Sequence, residues 1–475
     1  MAQAQAGNES GGGFRRSLKL LDGTMLVAGS MIGSGIFIVS ADIVRTLGSA
    51  GWLIAVWAAT AVMTVICALS YGELSAMFPR AGGQYVYLRE AWNRLIAFLY
   101  GWAFFAVIQT GTIAAVGVAF AKFTAYFFPA LGDHNILWEA GKFKLNAAQL
   151  VSIAVIVLLT AVNSRGVREG KIIQTTFTLA KIVSLLALVV FGFALAAKAD
   201  VWNANWANAW ATPAPAAGVD PVPLFGLFAI AMVGSLFSAD AWNSVTFIAG
   251  EIENPKRNVG LSLLLGTGMV TLLYIVTNLM YLAVLPLDSI AHAEADRVGV
   301  AASQAMFPAF GTMMIAAMIM VSTFGCNNGL ILSGARVYYT MAQDGLFFRK
   351  AGTLNKHAVP GWALWAQCLW ASALCLTGRY GDLLDYVVFA VLIFYILTMA
   401  GIFRLRKTRP DAERPYRALG YPVLPALYII AAAAICIALL AYKPTFTWPG
   451  LIIVLLGVPL FYFLEKRGGA AQASV

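Results

Sequence analysis

Two clusters of small and polar residues interrupt apolar segments of this sequence. Gly-Ser-Gly at 33–35 lies near the centre of an apolar run from 18 to about 47, and Ser-Ala-Asp at 238–240 lies near the centre of another, 222–250. Glycine costs about 1 kcal/mol relative to alanine in a helix interior. A broken helix exposes amide N–H groups that suit a carboxylate, and carbonyl oxygens that suit an ammonium group or a metal cation.

Close packing between helices is the competing interpretation of the first cluster. Gly29 and Gly33 share one helix face with the spacing typical of tightly packed membrane helices. The second cluster favours a break, because it places interruptions in the first and the sixth predicted spans. Irregular backbone at such depth is tolerated only where it is buried in protein or lines a wet cavity. Where two breaks meet, amides and carbonyls would together suit an amino acid.

Composition places both clusters in a membrane. Of the 475 residues, 60% are hydrophobic and 11% are charged, and the mean hydropathy is +0.77. A soluble chain could not bury so much apolar surface, so we expect an all-α integral membrane protein. Twelve transmembrane helices are predicted, near 21–46, 51–77, 92–128, 148–163, 174–197, 222–250, 258–285, 306–340, 361–378, 383–403, 422–442 and 448–465.

The distribution of basic residues predicts the orientation. If the N-terminus lies inside, 23 Lys and Arg residues fall in inner segments and eight in outer segments, as the positive-inside rule expects. The polar start lacks a secretory signal and is expected to be a disordered tail. We therefore expect a multi-pass protein of the cell membrane with both termini cytoplasmic. The net charge of +10 reflects this topology, so no nucleic-acid partner is expected.

Other classes of site find little support. The five cysteines are scattered through apolar spans without a C-x-x-C pair, and the three histidines lie in predicted loops. We therefore expect no enzyme, no catalytic residues, no metal site and no cofactor. Glu73 and Glu251, at inner ends of spans near Arg80 and Lys256, are interpreted as solvated interfacial charges, with gating ion pairs as the alternative.

Three motifs carry a family resemblance: GSMIGSGIF in the first span, GELSAMFPRAGGQYVYLREAW at 72–92 and FIAGEIENPKRNVGLSL at 247–263. They resemble the amino acid–polyamine–organocation superfamily, and within it the L-type amino acid transporter branch and its bacterial homologues. The resemblance implies a core of two inverted five-helix repeats, with helices 1 and 6 discontinuous, plus two peripheral helices. It divides the chain into a cytoplasmic tail (1–17), a first repeat (18–197), a second repeat (198–405), peripheral helices 11 and 12 (406–466) and a C-terminal cytoplasmic tail (467–475).

The resemblance also implies a substrate site. Backbone amides and a hydroxyl at 33–35 would hold the substrate carboxylate, and carbonyls at the two breaks would receive its ammonium group. Phe237 would be a gating aromatic, with ordinary packing as the alternative, and Asn243 would be a polar wall of the side-chain pocket. The implied substrate-binding residues are Met31, Gly33, Ser34, Gly35, Phe237, Asp240 and Asn243.

Two ionisable residues are predicted inside the membrane. An intramembrane lysine costs about 2.5–3.5 kcal/mol, so Lys181 either snorkels to the interface or has a function. The resemblance implies that its ammonium takes the place of Na⁺, bridging carbonyls of the first broken helix and polar groups of the eighth span. Candidates in that span are Ser322, Thr323 and Asn328. Asp240 would hold the substrate ammonium, attract a cationic side chain, pair with Lys181 or cap the second half-helix.

These features predict a transporter of small to medium L-amino acids that works by alternating access. Sodium-independent exchange is the first expectation, and proton-coupled symport, with Lys181 releasing the proton, is the alternative. A membrane sensor or a channel on the same fold is the weaker interpretation, because no appended soluble domain and no continuous polar path is visible.

The loop between the third and fourth spans bears on partners. Animal members of the resembled branch are joined there by a disulfide to a single-span glycoprotein. This loop, 129–147, contains no cysteine. We therefore expect no disulfide-linked heavy chain, and a transporter that functions as a monomer with an amino acid substrate in a lipid bilayer.

Overall fold

The structure, a computed structural model, describes residues 14, 16–140, 143–212, 222–376 and 380–472. The described chain is mostly helical. By length and composition, eight helical stretches of it could cross a membrane: Ala50–Met77, Arg94–Phe127, Gly170–Ala196, Pro255–Val284, Gly311–Gln343, Val387–Thr408, Val423–Tyr442 and Thr447–Glu465. A helical membrane protein is thereby confirmed in this coarser form, while twelve spans and inverted repeats remain predictions.

The first half of the chain forms helices and one small antiparallel hairpin. The helices are α1 (Leu20–Met31), α2 (Val39–Leu47), α3 (Ala50–Met77), α4 (Gln84–Ala91), α5 (Arg94–Ala103), α6 (Gln109–Phe127), α7 (Ala147–Asn163), α8 (Val167–Phe191), α9 (Ala199–Ala207) and α10 (Leu224–Ser238). A π-helical turn, Phe104–Ile108, joins α5 to α6. Strands β1 (Ile136–Ala140) and β2 (Phe143–Asn146) pair in the loop before α7.

The regular secondary structure of the second half, among its described residues, consists of helices joined by loops and turns. Its helices are α11 (Ser244–Phe247), α12 (Pro255–Val284), α13 (Leu287–Ala291), α14 (Val298–Met306), α15 (Gly311–Gln343), α16 (Gly361–Cys375), α17 (Tyr380–Thr408), α18 (Val423–Tyr442) and α19 (Pro444–Gln472). Helix α19 continues past the predicted start of the C-terminal tail, and residues 473–475 of that tail lie outside the described chain.

The two segments that contain the small polar clusters lie among longer helices. Helix α1 packs against α8, α12 and α15, and α10 packs against α2, α3, α17 and α18. The longer helices expose apolar side chains such as Leu158, Leu179 and Val190 on their outer faces, where a bilayer would cover them. The interior holds fully buried aromatic residues, among them Trp57 and Trp242.

The predicted N-terminal tail becomes ordered before α1. The amide of Ser17 donates to the Glu251 carbonyl (2.9 Å), and Leu18 forms a parallel bridge with Ile252. The Phe14 ring lies 4.9 Å from that of Tyr339, between ring centroids. These contacts fasten the start of α1 to the segment after α11. Residues 1–13 and 15 of the predicted tail lie outside the described chain.

Two carboxylates expected at solvated interfaces are buried instead, so that interpretation is wrong. Glu251 and Glu73 each retain only 1% exposure. Glu251 pairs with the equally buried Arg336 (2.8 Å), and Glu73 pairs with Arg406 (2.6 Å). Each arginine presents two nitrogens to its carboxylate, the geometry that best offsets the loss of hydration.

Candidate functional site

The first polar cluster breaks its helix, as predicted. Helix α1 ends at Met31, the chain makes one 3-10 turn over Gly35–Phe37, and α2 begins at Val39. The second break lies directly against the first. A Cβ atom added to Gly35 would lie 1.9 Å from the Ser238 Oγ, so this close approach requires glycine.

The second polar cluster also ends its helix. Helix α10 stops at Ser238, and α11 is a single turn that begins at Ser244. Between them, Ala241 adopts a φ of 64°, a left-handed conformation that is uncommon for residues other than glycine and carries local strain. The helix continues through Gly234 and breaks after Ser238.

Asp240 does not cap the second half-helix, so that expectation is wrong. The residue at the N-cap of α11 is Asn243, because the chain makes a further turn after Asp240 before the helix starts. The Asp240 Oδ1 instead accepts a hydrogen bond from the Tyr395 hydroxyl (2.5 Å). Asp240 therefore has a local structural role that ties the second break to α17.

Tyr274 on α12 links the two breaks. Its hydroxyl lies 3.0 Å from the Met31 carbonyl oxygen and 3.2 Å from that of Ser238. These carbonyls end α1 and α10, where helical partners are lost. Sequence reasoning missed Tyr274; its hydroxyl within an apolar span was the available signal.

Lys181 lies buried at the first break, with 2% exposure, so the snorkelling interpretation is wrong. Its Nζ donates to the carbonyl oxygens of Gly29 (2.6 Å), Ile32 (2.8 Å) and Ser322 (3.2 Å). The three donors of an ammonium group thus meet three carbonyls. The expected bridge between the first broken helix and Ser322 is present. The Ser322 hydroxyl adds bonds to the carbonyls of Ile32 (3.0 Å) and Gly33 (3.1 Å).

Two other proposed partners of Lys181 lie elsewhere, so their assignment to this contact is wrong. Thr323 donates to the Ile319 carbonyl of its own helix (2.8 Å), and Asn328 donates to Gly170 and Gln174 on α8 (3.0 Å each). Each residue along a helix rotates the side chain by about 100°, which turns both away from the lysine. Among the ion pairs of the described chain, none joins Lys181 to Asp240.

A cavity lies between the breaks, and we name it the cradle cavity. Six of the seven predicted substrate-binding residues line it: Met31, Gly33, Ser34, Gly35, Phe237 and Asp240. Cys326 also lines it, with its Sγ 3.0 Å from the Ser30 carbonyl oxygen. The walls therefore combine backbone from both breaks, one carboxylate and one aromatic ring.

The seventh predicted residue, Asn243, lines a neighbouring cavity, which we name the polar cavity. This cavity shares Thr112, Asp240 and Ala241 with the cradle cavity. Asn243 donates to the Gln84 Oε1 across it (3.2 Å). Two further lining residues are Tyr100 and Gln109; the Gln109 Nε2 donates to the Leu330 carbonyl (2.6 Å). Sequence reasoning missed Gln84 and Tyr100, because neither lies near a break.

Comparison with known proteins identifies relatives over nearly the whole chain. The sequence model of the family described as Amino acid permease matches residues 18–462. The human b(0,+)-type amino acid transporter 1 is 27% identical over 466 residues, 97% of this chain and 91% of that protein. The mouse large neutral amino acids transporter small subunit 2 is 27% identical over 471 residues, 97% of this chain and 83% of that protein.

Proposed function

Because this chain belongs to the amino acid permease family, we propose that it carries small to medium L-amino acids across a membrane by alternating access. The relatives compared above are amino acid transporters by name. The observation that carries the proposal is the cradle cavity, whose walls include the backbone of both helix breaks. Backbone amides and carbonyls that have lost helical partners are complementary to the two charged groups of an amino acid.

Each residue of the cradle cavity has a distinct proposed role. The amides of Gly33 and Gly35, with the amide and hydroxyl of Ser34, hold the substrate carboxylate. The carbonyls of Met31 and Phe237 and the carboxylate of Asp240 receive its ammonium group. The Met31 carbonyl already accepts from Tyr274, but a carbonyl oxygen has a second lone pair for the substrate.

Two further residues would control entry and side-chain fit. The Phe237 ring, at the end of α10, is the proposed gate, since it lines the cradle cavity directly beside the second break. Asn243 forms a wall of the polar cavity that would receive the substrate side chain.

The proposed architecture has twelve transmembrane helices. Eight helical stretches have the necessary length and apolar composition. Four shorter elements fall where the remaining spans are predicted: the α1–α2 pair, α7, the α10–α11 pair and α16. We assign residues 18–197 and 198–405 to the two inverted repeats, whose first helices are the broken ones, and 406–466 to the peripheral helices. Both termini, 1–17 and 467–475, are proposed to lie in the cytoplasm of a cell whose surface membrane holds the protein.

Sodium-independent exchange is the proposed mode of transport. Support comes from Lys181, whose buried ammonium already meets carbonyls of the first break. Carbonyls freed by an interrupted helix are the usual ligands of a coupling ion. Because the Lys181 ammonium occupies this position, the carbonyls of the first break have a cationic partner without a bound metal ion. Ser322 would complete the coupling site, while Thr323 and Asn328 are not part of it.

Proton-coupled symport is the second candidate, and one observation favours it. The oxygens that accept hydrogen bonds from the Lys181 ammonium, those of Gly29, Ile32 and Ser322, are all neutral. Release of a proton from this lysine would remove the charge that holds the first break, and would thereby couple protonation to the geometry of the site.

Proteoliposomes containing only the purified protein distinguish these modes. We expect uptake of labelled amino acid to rise when unlabelled amino acid is present inside, with choline replacing sodium and no pH gradient. A strict requirement for an imposed pH gradient would favour symport instead. Failure of all twenty amino acids to be transported under either condition would contradict the transport proposal.

The chain is proposed to work without a covalent partner. The name of the mouse relative designates a small subunit, which describes that protein as part of an assembly. The loop of this chain at 129–147 has no cysteine, and part of it forms the β1–β2 hairpin. Transport by the purified single chain, running as a monomer in cross-linking, would support the proposal; transport only after a second polypeptide is added would contradict it.

A further inference from the structure

The polar cavity contains a buried hydroxyl group without a hydrogen-bond partner. Tyr100 lines this cavity and is 2% exposed, and among the described residues its hydroxyl meets no donor or acceptor. Buried polar groups are nearly always hydrogen-bonded, so an unpaired one requires an explanation. A hydroxyl in the wall of a cavity beside a candidate transport site points to a bound molecule as its partner.

The other polar groups of this cavity are largely engaged with one another. Asn243 donates to Gln84, the Gln84 Nε2 donates to the Thr398 hydroxyl (3.1 Å), and that hydroxyl donates to the Phe394 carbonyl (2.7 Å). These bonds engage the amide groups of Asn243 and Gln84 with neighbouring residues. Among the described residues that line the cavity, Tyr100 has a buried hydroxyl without a partner.

Asp240 supplies acceptor capacity to the same cavity. Its Oδ1 accepts from Tyr395, but a carboxylate has about four lone-pair sites, of which this hydrogen bond uses one. The cavity therefore offers a hydroxyl donor from Tyr100 and a carboxylate acceptor from Asp240. A carboxamide group matches this pair, because its C=O accepts one hydrogen bond while its NH₂ group donates others.

Other side chains match the polar cavity less well. An aliphatic side chain would leave the Tyr100 hydroxyl unpaired. An ammonium or guanidinium group would donate to Asp240, but it has no acceptor for the O–H of Tyr100. The carboxamide is a terminal group that satisfies both residues, because it accepts from Tyr100 and donates to Asp240.

The helix that carries Tyr100 is widened beside the cavity. The π-helical turn Phe104–Ile108 separates Tyr100 from Gln109, and the Thr110 hydroxyl donates back to the Phe105 carbonyl (2.6 Å). Single π-helical turns inside α-helices occur frequently at functional sites. The shared lining residues Thr112 and Asp240 show that the polar cavity borders the cradle cavity.

We propose that the polar cavity is a side-chain subsite selective for amino acids with a terminal carboxamide, glutamine foremost, and that Tyr100 is a specificity-determining residue within it. The inference rests on the proposed function, since the substrate backbone must occupy the cradle cavity for its side chain to reach Tyr100. Glutamine and methionine provide the matched pair of substrates, because their side chains are similar in length and differ in hydrogen bonding.

The test measures kcat/KM for glutamine and methionine in proteoliposomes of the wild type and of Tyr100→Phe. We expect the wild type to favour glutamine by at least about tenfold, since a site built to hydrogen-bond discriminates against an analogue that lacks the group. Tyr100→Phe should bring the ratio close to unity. The ratio is independent of the amount of folded protein, so partial misfolding of the variant does not obscure it.

Tyr338→Phe is the matched control. Its hydroxyl is also buried without a partner among the described residues, and its ring lies near Phe104 and Phe105; Tyr338 is not among the residues that line the polar cavity. The glutamine-to-methionine ratio of this variant should equal that of the wild type.

Three results would overturn the assignment: equal transport of glutamine and methionine by the wild type, an unchanged ratio in Tyr100→Phe, or a preference for lysine or arginine over glutamine. In each case transport of other amino acids would leave the proposed function standing. Absence of transport for every amino acid tested would instead contradict the proposed function itself. Each unlabelled amino acid can also be tested as a competitor of labelled glutamine uptake by the wild type. This competition ranks the substrates without any variant.

Discussion

The two helix breaks satisfy their exposed backbone in opposite ways. The first break has an excess of carbonyl oxygens, and it receives a cation from another helix, Lys181 on α8, together with the hydroxyl of Ser322. The second break supplies its own carboxylate, Asp240, and receives a hydroxyl from Tyr395 on α17. A fixed cation thus supports one side of the cradle cavity and a carboxylate lines the other. The two breaks are therefore not equivalent. The first depends on a charge from another helix, that of Lys181, and the second on a charge of its own segment, that of Asp240.

The largest expected effect on uptake follows from removing the charge of Lys181 at the first break. Lys181→Ala would leave the carbonyls of Gly29 and Ile32 without their donor inside an apolar environment. Hydrogen bonds to charged groups contribute about 1.5–3 kcal/mol, so uptake in proteoliposomes should fall by roughly ten- to hundredfold. Thr323→Ala is the matched control on α15, because the hydrogen bonds of its hydroxyl among the described residues lie within its own helix. Near-normal uptake by Lys181→Ala would show that the first break does not depend on the charge of Lys181.

A smaller loss of uptake is expected from a side chain at position 35 that pushes the two breaks apart. A Cβ atom at position 35 would lie 1.9 Å from the Ser238 Oγ, whereas a Cβ at position 33 would meet its nearest neighbour, the Cys326 Sγ, at 3.5 Å. Gly35→Ala should therefore lower the initial rate of uptake by about tenfold, and should lower it more than Gly33→Ala does. Equal rates in the two variants, measured at matched protein density, would show that the breaks do not need this close approach.

The local charge of the second break gives a third prediction. Tyr395→Phe removes the hydroxyl that donates to Asp240 and so leaves this carboxylate less well satisfied. We expect uptake to decrease by about three- to tenfold, because one neutral hydroxyl is lost and the carboxylate itself stays in place. A decrease larger than that of Lys181→Ala would reverse the ranking of the two breaks. Uptake and the thermal unfolding midpoint of the purified variant should be measured together, so that a loss of folding is recognised.

The smallest expected effect belongs to the residue that contacts both breaks. Tyr274→Phe removes a neutral hydroxyl shared between the carbonyls of Met31 and Ser238. Neutral hydrogen bonds contribute about 0.5–1.5 kcal/mol, so uptake should fall by roughly two- to tenfold. The double variant Tyr274→Phe with Tyr395→Phe tests whether the breaks are coupled: a combined loss greater than the product of the single losses indicates coupling, and simple multiplication contradicts it.

The sequence was sufficient to locate the breaks because they depend on local chemistry. Clustered glycine, serine and aspartate within apolar runs marked both interruptions, and its position within an apolar span marked Lys181 as an intramembrane charge. The partners of these groups could not be predicted as well, since they depend on helix rotation. Ser322 was placed correctly at the lysine, while Thr323, the next residue on the same helix, turns away.

The sequence also could not predict which residues far apart along the chain form ion pairs. Glu251 and Arg336 are 85 residues apart, and Glu73 and Arg406 are 333 apart, so no spacing rule connects them. Gln84 and Tyr100 were missed as lining residues for the same reason: only the packing of α4 and α5 against α17 and the second break brings them to one cavity. Helix breaks can therefore be predicted from the sequence, whereas the residues that line the cavities around them are determined by how the helices pack.

A cryo-electron microscopy structure of the protein with a transported amino acid tests the central claim most directly. The account predicts density for the substrate in the cradle cavity, with its carboxylate at the amides of Gly33, Ser34 and Gly35 and its ammonium group at the carbonyls of Met31 and Phe237. Substrate density elsewhere in the protein, or continuous helices through residues 33–35 and 239–243, would contradict it.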